Sequence, residues 1–400
     1  MVASRVEQCI IRKSHPLWDV IDEMCFKAKN LYNYANYILR QEFLEHNQYI
    51  PYRQMNKELK AHDEYKQCMS QPANCILRLL DKNWKSFFCA LKAYEKNPTK
   101  FLGRPQIPKY LKKNGRFNWM IPNNACYFEK GELKFRVRKL QSVKWKCRCV
   151  GRLIQVRFVP RGCVYIMEIV SEVEVPDTLI ENKRIVGIDL GVNNLATASN
   201  NIGEQPFIIN GRGLKSINQF YNKRRSKLQS KLPKGQFWSN QLEQITFKRF
   251  NRVKNYMHHA SRYIVNWCVQ HRIDTLVVGH NDEWKQDLKM NKVNSQNFVG
   301  IPYEILIQQL KYKCEDVGII FIETEESYTS GTSFLDGELP CKESYNKKRR
   351  IKRGLFQTAD TLINSDVNGS LQIVRKVFPD AFDYGIEVCL TPTIINACVI

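Results

Sequence analysis

The chain has 400 residues, 43% of them hydrophobic and 25% charged, the composition of an ordinary globular protein with material for two or three domains. It contains no run of about 18 uncharged apolar residues that could span a bilayer, and its start, MVASRVEQCIIRK, lacks the long apolar stretch of a secretory signal, so a cytosolic protein is expected. Lys and Arg number 62 against 39 acids, a formal charge of +23. Self-repulsion of that size is relieved when a polyanion neutralises it, which points to nucleic acid ahead of an anionic lipid surface or a merely soluble basic enzyme.

The pattern opens with a strand over 7–13. A long helix follows, with Ser14 as its expected N-cap and Pro16 in its first turn. Leu17, Ile21, Met24, Ala28, Leu31, Ala35 and Ile38 recur at steps of three and four and form one apolar stripe. A second helix after Ser70-Gln71-Pro72 buries Leu77, Leu80, Trp84, Phe87 and Leu91. Arg78, Lys82, Lys85, Lys92 and Lys96 line an adjacent face, which is expected to meet phosphates rather than only water.

Prolines between 98 and 108 end the helical part. From about 127 to 175 the sequence alternates as β-strands do, with Pro160-Arg161-Gly162 as a tight connection, and an antiparallel barrel or sheet is expected that the N-terminal strand joins. After the polar stretch following Pro176, strands and helices alternate as in an α/β or α+β domain with a mixed sheet. The fourteen cysteines include no C-x-x-C pair. They read as reduced, mostly packing thiols, Cys147 and Cys149 included.

Three places carry acids where chemistry is possible. Asp189 ends the buried strand in RIVGIDLGVNN. Asp366 lies in NSDVNGSLQI at the start of a helix, where helix capping alone would account for it. In FIETEESYTSGTS, Glu323, Glu325 and Glu326 crowd the end of a strand. Acids on rigid ends suit a hard cation such as Mg²⁺, and two such cations serve phosphodiester hydrolysis.

GIDLGVNNLAT, GRGLKSINQFYNKRRSKLQSKL, EESYTSGTSFLDG, KRRIKRGLF and INSDVNGSLQI, in that order, resemble the TnpB (OrfB) family, the transposon-associated ancestor of the type V CRISPR effectors. FKAKNLYNYANYILR and FLGRPQIPKY extend the resemblance over nearly the whole chain. It implies a multidomain α+β protein: a β-barrel, wedge-like domain (1–13 and 106–180) with an inserted helical recognition domain (14–105), a RuvC/RNase H-like nuclease domain (181–380) and a C-terminal tail (381–400). It implies an RNA-guided DNA endonuclease encoded by a transposable element, using two Mg²⁺ ions (or Mn²⁺) and supporting transposon maintenance. Guide RNA and target DNA are the implied partners, with no membrane and no small-molecule substrate. A nuclease-inactive, RNA-guided DNA-binding repressor or a transposition accessory protein is the alternative.

By the same resemblance Asp189 is the first catalytic and metal-binding acid and Asp366 the last. The position that commonly carries the middle acid is Gly279 here. Fanzor-like relatives place that acid later, three residues before the Thr of the TS turn, which is Glu326 in this chain. Glu325 is its nearest rival and Glu283 a weaker one. The nucleic-acid contacts expected are Arg78, Lys82, Lys85, Lys92, Lys96, Arg212, Lys215, Lys223, Arg224, Arg225, Lys348, Arg349 and Arg350. Many relatives carry two C-x-x-C pairs between the TS turn and the last Asp. Only Cys341 falls there in this chain, so residues 331–360 are expected to be a degenerate zinc ribbon without zinc. His258 and His259 are adjacent, which disfavours a transposase that uses a tyrosine nucleophile and a metal held by two separated histidines.

Overall fold

The computed structural model describes residues 2–149, 151–178, 183–281, 296, 298–352, 354–383 and 389–397. The chain divides into two compact units, 2–174 and 175–400, and is a mixed α/β multidomain protein.

In the first unit, β1 (Val2–Ile11) pairs antiparallel with β7 (Val164–Glu174), which pairs with β6 (Arg152–Arg161), which pairs with β2 (Trp119–Pro122). Gly162, with φ at 60°, makes the turn between β6 and β7 that a side chain would strain. A separate three-stranded sheet, β3 (Cys126–Glu129), β4 (Glu132–Phe135) and β5 (Trp145–Lys146), shares its core: Leu133 and Phe135 pack with Phe158, Met167 and Ile169. Between β1 and β2 lie helices α1 (Trp18–His46), α2 (Tyr52–Leu59), α3 (Asp63–Gln67) and α4 (Ser70–Lys96). The α1 stripe is buried from Ile21 to Ala35 and closes on Leu39 rather than Ile38. The helix starts later than Ser14, because the Nδ1 of His15 takes the Leu17 N–H at 3.1 Å and holds the preceding residues in turns.

The second unit is built on one six-stranded sheet in the order β12-β11-β8-β9-β10-β15. Its strands are β8 (Ile185–Leu190), β9 (Asn194–Asn200), β10 (Phe207–Asn210), β11 (Thr275–Gly279), β12 (Ile320–Thr324) and β15 (Thr393–Ile395). β8, β11 and β12 run parallel, β9 is antiparallel to its neighbours, and β15 runs parallel to β10. Residues 393–395, read from the sequence as part of a tail, thus supply an edge strand. Helices α5 (Arg212–Gln229), α6 (Asn240–Gln270) and α7 (Tyr303–Glu315) follow β10 and β11. A short hairpin of β13 (Leu355–Gln357) and β14 (Leu362–Asn364) leads into α8 (Ser365–Val377).

The two faces of this sheet explain where the acids lie. Side chains alternate along a strand. Val186, Ile188 and Leu190 of β8 join Leu276 and Val278 of β11 in the large core under α6 and α7. Ile185 and Val277 pack on the other face against Ile373 and Val374 of α8. Gly187 and Asp189 fall on that second face by the same alternation, and so does Gly279. Helix α8 comes close because of missing side chains: a Cβ at Gly187 would stand 2.3 Å from the Ser370 carbonyl oxygen.

Candidate functional site

Asp189 is the last residue but one of β8 and points under the first turns of α8. Gly369 makes the room, since a Cβ there would stand 3.0 Å from Asp189 Oδ2. The turn beyond it is pinned by Tyr303, whose hydroxyl donates to the Gly191 carbonyl at 3.0 Å. Asp366 is in the first turn of α8. That helix is capped by Asn364, whose Oδ1 accepts from the backbone N–H of Asp366 (2.9 Å) and of Val367 (3.2 Å). Capping is thus done by Asn364, and the Asp366 carboxylate is left to face the sheet.

Glu326 comes from the segment after β12. Gly279 pairs with Thr324 in the parallel ladder, and the His280 N–H donates to the Thr324 carbonyl at 2.8 Å, so β12 is held to its end. Asn281 Oδ1 then accepts the Glu326 N–H at 3.0 Å, and Thr329 Oγ1 donates back to the Glu326 carbonyl at 2.7 Å. Of the three crowded glutamates, Glu323 and Glu325 are exposed and only Glu326 turns inward. Glu325 lies 4.0 Å from Lys376 Nζ, on the outer side. Glu283 lies outside the described residues.

Asp189, Glu326 and Asp366 line one cavity of about 1080 Å³, together with Asn193, Asn194, Thr197, Arg212, Arg350 and Lys352. Burial raises the pKa of Asp189 well above the usual carboxylate range, and the charges of Glu326 and Asp366 raise it further, against the pull of Arg350. Burial pushes Glu326 up to about 8, with Lys376 opposing. Asp366 is held differently: Asn194 Nδ2 donates to its Oδ2 at 2.6 Å, and Arg350 Nη2 reaches its Oδ1 at 3.1 Å.

Whether these groups suit a hard cation can be judged from the donors. Glu326 Oε2 and Asn193 Oδ1 are buried without a hydrogen-bond partner among the described residues, and both residues line the cavity. Unpartnered buried oxygens beside mutually repelling carboxylates are what Mg²⁺ would neutralise. Among the described residues, however, no three His, Cys, Asp or Glu side chains stand close enough together to hold an ion as placed. Asp366 is bonded to Arg350 and Asn194. By chemistry the donor set, carboxylates with a buried amide oxygen beside them, fits Mg²⁺.

The basic residues divide. Arg212 lines the acid cavity, while Lys223, Arg224 and Arg225 are exposed on α5 and Lys215 is half-buried there. Lys348 is exposed, but Arg349 pairs with Glu338 at 2.8 Å and Asp336 at 3.5 Å, a structural role. On α4, Lys82, Lys92 and Lys96 are exposed. Lys85 pairs with Asp81 at 2.8 Å, and Arg78 lies over the Tyr52 ring at 5.0 Å. That face is therefore not a clean cationic stripe; Asp81, four residues before Lys85, was the signal in the sequence. Asn194, Asn281 and Tyr303 were not singled out from the sequence, since each is a polar residue whose partner lies far along the chain.

Two family models match the chain. One is the OrfB_IS605 family, described as a probable transposase, over residues 168–285, and the other is the Cas12f1-like TNB domain, over residues 303–373. No curated protein matches it. Among solved structures it is similar to a Cas12f1–sgRNA–target DNA complex (17% identity, 92% of this chain and 98% of that chain, TM-score 0.39) and to the mini RNA-guided endonuclease CRISPR-Cas phi3 (9% identity, 96% and 93%, TM-score 0.49). Over these two regions the chain is similar to the OrfB_IS605 family and to the Cas12f1-like TNB domain. The chain is TnpB-like.

Proposed function

We propose that this chain is an RNA-guided DNA endonuclease encoded by a transposable element, acting in the cytosol and helping that element persist. The carrying observation is that three carboxylates from three separate elements, Asp189, Glu326 and Asp366, face one cavity ringed by Arg212, Arg350 and Lys352. The sheet order fits a RuvC/RNase H-like domain, with β8 central, β9 antiparallel to both β8 and β10 on one side, and β11 and β12 parallel to β8 on the other.

In this reading the three acids would hold Mg²⁺, which polarises a phosphoryl oxygen and lowers the pKa of bound water. The chain's own part is positional. Asn364 and Gly369 fix the start of α8 against Asp189, and Asn281 and Thr329 aim Glu326 inward. Arg212 and Lys352 neutralise backbone phosphates as a strand lies in the cavity, while Arg350 passes from Asp366 to a phosphate. The charge of +23 serves the heteroduplex and the RNA. The test is to isolate the protein with its bound RNA and add duplex DNA matching that RNA, with Mg²⁺. Guided cutting is expected. Binding without cutting would favour the repressor reading.

A further inference from the structure

The helical hairpin of α5 and α6 carries a surface that runs on beyond the acid cavity. Between Glu204 and Glu243 the chain has eight Lys or Arg and no acid, so α5 and the turn after it carry a concentrated positive charge. On α5, Arg212, Ser216, Phe220, Lys223 and Lys227 follow at steps of four, four, three and four, which places them along one side of the helix. All five are exposed. The first of them lines the acid cavity. At ~1.5 Å per residue the last lies about 22 Å further on, the length of about six stacked nucleotides at ~3.4 Å each.

Aromatic rings accompany this track. Arg224 lies 5.7 Å from the centre of the Phe220 ring, and Phe220 is 56% exposed. In the turn after α5, Phe237 is 81% exposed and Trp238 45%, close in sequence to Lys231 and Lys234. Cations that follow a backbone, interleaved with rings held in water, are the chemistry that binds unpaired nucleic acid, because only unstacked bases offer their faces to a ring. A duplex would use the cations and leave the rings bare.

We propose that the hairpin is a stacking track for one single strand of DNA, running from the acid cavity along α5 to Phe237 and Trp238. The commitment to DNA rests on the nuclease reading above: the track begins at the cavity where the strand to be cut would lie.

The test avoids cleavage altogether. The full chain, as isolated, is titrated in EDTA with a fluorescent oligothymidylate of 20 nucleotides, with a duplex of the same length and with oligouridylate. Phe237→Ala/Trp238→Ala should weaken oligothymidylate binding by roughly 10- to 100-fold, from the loss of base–ring stacking, and leave duplex binding within twofold. Lys223→Gln/Lys227→Gln should weaken both DNAs and reduce the salt dependence of binding. In the wild type, oligothymidylate should quench tryptophan emission, and Trp238→Phe should remove part of that quenching while keeping the affinity. Equal loss for the duplex, or unchanged oligothymidylate binding in the double aromatic variant, would overturn the track. Loss confined to oligouridylate would make it an RNA surface and overturn the assignment to DNA. Because no cutting is measured, failure here leaves the nuclease reading standing, and failure of cleavage leaves this result standing.

Discussion

Gly279 and Glu326 compete for one place. A Cβ built on Gly279 would stand 3.2 Å from the Glu326 Cβ and 2.5 Å from Ile373 Cδ1. Gly279 sits on the α8 face of the sheet, one step beyond the Val278–Ile188 pair and so beside Asp189. A carboxylate from position 279 and one from position 326 would therefore reach the same point. The glutamate enters from the segment after β12 because the glycine leaves the space for it.

Gly279→Ala should accordingly destabilise the protein by about 1–3 kcal/mol, the usual cost of forcing a methyl into a packed site. Chemical denaturation of the wild type and variant measures it. An unchanged midpoint would mean that Ile373 and Glu326 give way freely.

The raised acids predict a pH dependence. A carboxyl whose folded pKa lies above its unfolded value favours the protonated fold, so its contribution is full below about 4.5 and is lost as pH rises through about 8. Without metal, thermal stability should fall between pH 5 and 8 by more in the wild type than in Glu326→Gln. Added Mg²⁺ should recover the difference for the wild type alone. Thermal scans in EDTA and in Mg²⁺ check both; equal slopes in the two proteins would contradict the burial of Glu326.

For the region after the TS turn, elemental analysis should find far less than one zinc per chain. Cys341 there has its Sγ 3.4 Å from Ser344 Oγ, a hydrogen-bonding distance for a thiol and a hydroxyl. A stoichiometric zinc content would overturn the expectation drawn from the missing cysteine pairs.

Local pattern carried much of this into view, and long-range pairing did not. The α1 stripe, the strand ending in Asp189, the strand TLVVG and the helix starting near Asp366 could be read because each depends on neighbours within a few residues. Glu326 was legible only through resemblance; its inward aim depends on Asn281, 45 residues away. The Arg350–Asp366 and Asn194–Asp366 contacts were invisible for the same reason, since hydrogen bonds across the fold leave no periodic trace. On α4 the Lys85–Asp81 pair, one turn apart, takes one of the five cations of that face into an ion pair.

The protein should leave the cell carrying RNA. Its charge and the exposed Lys82, Lys92 and Lys96 of α4 motivate this. A gel of the purified preparation, with and without ribonuclease, tests it at moderate salt. A preparation free of RNA would argue against guidance.

Glu326 carries the central claim, and Glu326→Gln tests it most directly. The substitution keeps size and hydrogen-bonding reach and removes the charge that a divalent cation needs. The variant should retain RNA and target DNA binding while Mg²⁺-dependent cleavage falls by about a hundredfold or more. Glu325→Gln, on the exposed side, should cut within a fewfold of wild type. Near wild-type cutting by Glu326→Gln, with Glu325→Gln inactive, would contradict the account.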